Sequence, residues 1–80
     1  MATTHEDAVL DARGLLCPMP IVKTAKAMKE LEAGQVLKLM ATDRGSITDV
    51  PAWCETTGNE LLDWHEDDGF FVFHLRKHND

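Results

Sequence analysis

The residues of this chain best suited to chemistry gather around one thiol. Cys17 lies in the run Leu10-Asp11-Ala12-Arg13-Gly14-Leu15-Leu16-Cys17-Pro18-Met19-Pro20. The pattern predicts a short strand, a turn at Gly14 and a helix opened by two prolines. Pro18 and Pro20 lack N–H groups, but the first turn of a helix leaves those groups without intrahelical partners, so both are tolerated there. Gly14 permits a turn that a larger residue resists. Pro18 also biases Cys17 away from helical angles, which suits an N-cap position. The amides of Met19 and Ile21 then remain to face the sulfur. A thiol at the positive end of a helix loses its proton more readily, and the thiolate is the reactive form. The expectation is a Cys17 pKa below the free-thiol value of about 8.5, with the helix dipole and Arg13 as causes.

Other chemistry-bearing residues are fewer. Cys54 falls with Trp53 and Thr57 on the inner side of a second helix, where a free cysteine is usually packing; a second redox cysteine is the alternative. The two cysteines form no C-x-x-C, which disfavours a thioredoxin-type dithiol. Asp11 and Arg13 flank the turn, either as a solvated strand end or as charges that tune the thiolate. Lys23, Lys26 and Lys29 make either a solvated helix face or a patch for docking an acidic protein. His74 and His78 are spaced like zinc-finger histidines, but no paired cysteines precede them. With His5 and His65 they make no metal-ligand pattern, and no metal is expected.

Those residues must be positioned by a small frame. A chain of 80 residues with 44% hydrophobic and 28% charged side chains reads as one compact domain, 1–80. A formal net charge of −6 argues against duplex DNA as a direct ligand. The basic and aromatic surface is thin for RNA. Met1 to Asp7 is polar and acidic, a flexible tail rather than a signal peptide. No apolar run approaches a membrane span. A cytoplasmic protein is expected, with Cys17 kept reduced and no membrane attachment.

The elements read as follows. Ala8 to Ala12 is a strand. Pro18 to about Glu32 is a helix ended by Gly34, with Ile21, Ala25, Met28 and Leu31 on its apolar side, joined by Val22, and Lys23, Lys26 and Glu30 opposite. Gln35 to Thr42 is a strand apolar on both sides, hence central. Asp43 to Ser46 is a turn. A helix begun at Ser46 would hold Pro51 in its interior, so an irregular turn to Val50 and a helix from Pro51 to about Thr57 are expected, ended by Gly58. Asn59 to Glu66 and Phe70 to Arg76 are strands joined by an Asp67-Asp68-Gly69 hairpin turn. Phe71, Phe73 and Leu75 form a core face. Phe70 and Val72 face solvent, as scattered exposure or a contact patch. His78 to Asp80 reads as tail. The order β-α-β-α-β-β makes a two-layer α/β sandwich, a mixed four-stranded sheet with two helices on one face. The turns after the first two strands then share one sheet edge, which brings Asp43 and Arg44 near Cys17.

Leu-Asp-Ala-x-Gly-Leu-x-Cys-Pro-x-Pro over Leu10 to Pro20 resembles the signature of the TusA-like (SirA-like) sulfur-carrier proteins. The likeness continues through Gly34, Thr42-Asp43 and Asp49-Val50-Pro51-x-Trp53-Cys54, over nearly the whole chain. The resemblance implies a small sulfurtransferase, a carrier rather than a stand-alone turnover enzyme. Cys17 matches the family's persulfide-bearing cysteine. It implies a donor such as a cysteine desulfurase and a downstream sulfur-acceptor protein, in tRNA 2-thiouridine synthesis or in sulfur oxidation. The only prosthetic chemistry expected is the covalent persulfide on Cys17, without a cofactor. Asp11, Arg13, Gly14, Pro18 and Pro20 would support that cysteine, and Lys23, Lys26 and Arg44 are docking candidates on a monomer. Persulfide exchange needs an accessible sulfur and a leaving thiolate, and strictly requires no general acid or base. Two other classes stay open: a non-catalytic regulatory or protein-binding module, and a Cys17/Cys54 redox protein.

Overall fold

The computed structural model describes residues 6–78. Among them, strands β1 (Ala8–Ala12), β2 (Val36–Ala41), β3 (Glu60–Asp67) and β4 (Phe70–Arg76) and helices α1 (Met19–Lys29) and α2 (Ser46–Thr57) follow the expected order. The strands form a mixed sheet in spatial order β1-β2-β4-β3. β1 and β2 run parallel, as a crossover through α1 requires, and β4 is antiparallel to β2 and β3. β2 is thus central, in keeping with its two apolar sides.

One face of the sheet carries the core. Leu37, Leu39 and Ala41 of β2 lie opposite Leu75, Phe73 and Phe71 of β4. Met28 of α1 and Val50 and Cys54 of α2 close over them. Gly58 ends α2 in the left-handed region at φ 83°, its N–H donating to Cys54 O at 2.9 Å. Asp68 and Gly69, at φ 48° and 91°, make the tight β3–β4 turn. No helix among the described residues is long and apolar enough to cross a membrane.

The helices depart from expectation in two ways. α1 is shorter than expected at both ends, and it buries Pro20, Thr24 and Met28, while Val22 is 51% exposed. Thr24 can occupy a core position because its hydroxyl donates to Pro20 O at 2.7 Å within its own helix. α2 is the larger correction. It runs unbroken from Ser46 through Pro51, with no irregular turn before the proline. A proline at this point removes one backbone donor. The first turns of α2 bury Ser46 and Val50 and pack Ile47 against the core, which offsets that single loss.

Three details qualify the ends and the outer face. The tail expected over Met1 to Asp7 lies outside the described residues as far as residue 5. Asp7 itself brackets Val36, donating its N–H to Val36 O and accepting Val36 N–H on Oδ2, both at 2.8 Å. At the other end, His78 donates its N–H to Asn59 Oδ1 at 2.9 Å, and residues 79–80 lie outside the described range. On the outer sheet face, Val72 is only 2% exposed and Phe70 is half-buried, with the Arg13 guanidinium 4.9 Å above its ring. The expected solvent exposure of this pair thus fails for Val72 and holds only in part for Phe70.

Cys54 is a core residue, 3% exposed, and burial pushes its thiol up to about 11. Cys54→Ala is expected to cost about 1 kcal/mol, the size of a small cavity-forming change. Urea melts measure that cost, and titration of accessible thiols should be unchanged.

Candidate functional site

Because β1 and β2 are parallel neighbours, the loops leaving their C-terminal ends emerge at one sheet edge. The first carries Cys17. The second carries Asp43 and Arg44 and runs directly into α2. Three contacts join these segments. Gly14, at φ 85°, donates its N–H to Thr42 Oγ1 at 2.9 Å. Cys17 donates its N–H to Asp43 Oδ2 at 3.0 Å, and Asp43 Oδ1 accepts Gly45 N–H at 3.3 Å. The exposed Cys17 thiol donates to Asp49 Oδ2, in the first turn of α2, at 3.5 Å. Gly45 makes room for both carboxylates. A Cβ on it would lie 3.3 Å from Asp43 Oδ2 and 3.6 Å from Asp49 Oδ2.

The start of α1 differs from expectation. Pro18, not Cys17, occupies the N-cap, and the Met19 amide donates to Leu16 O at 2.8 Å instead of facing the sulfur. The electrostatics also reverse. The Cys17 pKa is raised, first by its hydrogen bond to the Asp49 carboxylate, then by desolvation and by the charges of Asp49 and Asp43. A helix N-terminus supplies about half a positive charge. Two carboxylates bring about two full negative charges, one of them in contact with the thiol, so they decide the sign. Arg13, expected to favour the thiolate, is engaged elsewhere. It grips Asp11 through Nε and Nη2, each at 2.9 Å, and covers Phe70. That bond, together with the Arg13 N–H at 3.1 Å, holds the Asp11 carboxyl down at about 2.

Exposed apolar side chains flank Cys17 along the chain. Leu16 is 72%, Met19 40% and Val22 51% exposed, and Lys23 and Lys26 stand exposed farther along the same helix. Arg44 is exposed beside Asp43. Cavities of about 450 and 260 Å³ open at the far end of the sheet around Lys77 and His78, and Cys17 lines neither. The thiol itself is exposed at the sheet edge.

Residues 8–77 of this chain match the family described as Sulfurtransferase TusA. The chain belongs to the TusA family. It is 49% identical over 71 residues to the Bacillus subtilis protein YrkI, covering 89% of this chain and 95% of that one. With the Sulfur carrier protein TusA of Allochromatium vinosum it shares 45% over 71 residues, 89% of this chain and 93% of the other. A crystal structure of a SirA-like protein from Desulfitobacterium hafniense superposes with a TM-score of 0.72 at 28% identity, over 90% of this chain and 99% of that one. The TusA-like, SirA-like resemblance and the two-layer fold both hold.

Within this TusA-family fold, the turn after β1 brings Gly14, Cys17 and Pro18 to the site, and Asp43 joins them as the topology predicts. Asp11 and Arg13 stand together on the outer face. Asp49 is the site residue that the sequence reading leaves without a role. Its signal is an acidic residue in a helix's first turn, visible only once α2 is known to begin at Ser46.

Proposed function

We propose that Cys17 accepts sulfane sulfur as a persulfide from a donor protein, a cysteine desulfurase or a comparable sulfur donor, and relays it to a downstream acceptor protein. The observation that carries this reading is an exposed thiol at the sheet edge, flanked along the chain by exposed apolar side chains, in a chain of the TusA family. A carrier must offer its sulfur inside another protein's active site, and such an edge can enter one. No cofactor takes part; the intermediate is the covalent persulfide. The acceptor then serves tRNA 2-thiouridine synthesis or sulfur oxidation. Burial of Cys54 speaks against the two-cysteine redox alternative. The test is incubation with a cysteine desulfurase and cysteine, followed by intact mass: one added sulfur atom is expected, lost again on addition of an acceptor protein. A mass that never changes overturns the reading.

Docking supplies a second expectation. Lys23 and Lys26 lie within about two turns of the thiol by the helix rise. Charges at a contact rim act mainly on association rate and salt dependence. Lys23→Glu combined with Lys26→Glu is expected to slow loading from a protein donor roughly tenfold at low salt and to leave loading from a small persulfide unchanged. Transfer rates with both donors across a salt series check this. Equal slowing with the small donor would mean that the lysines act on the thiol itself.

A further inference from the structure

Persulfide exchange moves a proton as well as a sulfur atom, and the structure offers one group in contact with that proton. We infer that Asp49 carries the Cys17 thiol proton, taking it as Cys17 attacks and returning it as Cys17 leaves. The inference rests on the persulfide reading above.

Geometry selects Asp49 over its neighbours. Asp49 Oδ2 accepts the thiol itself at 3.5 Å, whereas the Asp43 oxygens accept backbone N–H groups of Cys17 and Gly45. Asp43 thus fixes the loop, and Asp49 meets the reacting atom. Asp49 is firmly held, between the buried Val50 and the buried Ser46 in the first turn of α2. The other charged groups on the surrounding elements are Arg44 in the same loop as Asp43, Lys23, Lys26 and Lys29 on α1, Glu55 on α2, and Arg13, which is bound to Asp11. At rest the two carboxylates oppose a thiolate, so Cys17 stays protonated and slow toward stray electrophiles. A partner seated on Leu16, Met19 and Val22 excludes water and leaves Asp49 as the proton acceptor in contact with the thiol.

The steps balance. In loading, Cys17 Sγ bonds to the outer sulfur of the donor persulfide while its proton passes to Asp49. The donor's S–S bond breaks, and its thiolate leaves and takes the proton from Asp49. The donor persulfide is reduced to a thiol as Cys17 is oxidised to a persulfide, so no outside oxidant or reductant enters. In discharge, an acceptor thiol bonds to the outer sulfur and gives its proton to Asp49. The Sγ–S bond breaks, and Asp49 passes that proton to the departing Cys17 Sγ.

Asp49→Asn keeps the shape and removes the proton acceptor. Its effects should run in opposite directions. Alkylation of Cys17 by iodoacetamide, a neutral probe, should shift to lower pH. At pH 7 it should become faster, because the largest cause of the raised Cys17 pKa, its hydrogen bond to the Asp49 carboxylate, is gone. Loading from a desulfurase should become roughly a hundredfold slower, the scale of a lost general base. Asp49→Glu should restore both toward wild type. A side chain that only supports the fold would not produce opposite signs. An unshifted alkylation profile, or Asp49→Asn loading at the wild-type rate, overturns the inference while the relay stands. Wild-type protein that gains no sulfur overturns both. Should Asp49→Asn fail to fold by circular dichroism, the wild type decides. Proton transfer to Asp49 gives a loading rate that does not follow the thiolate fraction read by alkylation, and parallel pH profiles overturn the role of Asp49.

Discussion

Cys17→Ser is expected to gain no sulfur from a cysteine desulfurase, a loss complete to the limit of detection. A hydroxyl oxygen cannot hold sulfane sulfur as a persulfide, so the variant lacks the bond that the relay depends on, not merely its rate. The fold should be untouched. Cys17 is exposed, and the bond that ties it to Asp43 uses its backbone N–H, which serine also has. Exposed substitutions of this kind typically change stability by about 0.5 kcal/mol or less. Intact mass after incubation with desulfurase and cysteine, beside a urea melt, separates the two effects. A serine variant that still gains a sulfur atom would take the carrier role away from Cys17. A variant that melts far below wild type would mean that the thiol has a structural role beyond its contact with Asp49.

What the sequence reveals about this site follows the range over which each interaction acts. The Cys-Pro-x-Pro turn is local, and its prolines, glycine and neighbouring strand are legible in a few adjacent residues. The approach of Asp43 is not local, being 26 residues from Cys17, but it follows from topology: parallel neighbouring strands release their loops at the same edge. Asp49, 32 residues away, depends on where α2 starts. Proline's usual cost of about 3 kcal/mol in a helix interior argues for a start at Pro51. Burial of Ser46, Ile47 and Val50 favours the earlier start, and that burial is visible only in the packed molecule. The sign of the Cys17 shift turns on the same point. Judged from its own segment, the sulfur meets only a helix terminus and Arg13; the assembled edge adds two carboxylates and turns Arg13 toward Asp11. Thr24 shows the same limit on α1, since a hydroxyl satisfied by its own helix takes a core position that periodicity assigns to apolar neighbours.

Phe73→Ala is expected to be the most destabilising single truncation in the core. Phe73 is fully buried, lies opposite Leu39 of β2 and Trp64 of β3, and stacks on the Trp64 ring with centroids 5.9 Å apart. Removing a buried phenylalanine side chain costs about 3–5 kcal/mol. Small domains hold about 0.05–0.15 kcal/mol per residue, which for a chain of this length is roughly 4–12 kcal/mol in total. The variant therefore loses a large share of its stability. The consequence reaches Cys17 through the frame, because Asp43 follows Thr42 just past the end of β2 at Ala41 and Asp49 precedes Val50, and Ala41 and Val50 are anchored in the same core. Sulfur loading by Phe73→Ala should fall in proportion to the folded fraction and recover in a stabilising osmolyte, which favours burial without touching the site. Phe73→Leu, which keeps most of the volume, should cost about 1–2 kcal/mol and load normally. Urea melts and loading rates measured with and without osmolyte decide the matter. A Phe73→Ala protein that melts within about 1 kcal/mol of wild type would show that the core tolerates the cavity by collapsing onto it. Folding restored without loading would mean that Phe73 affects the sulfur site by a route other than stability.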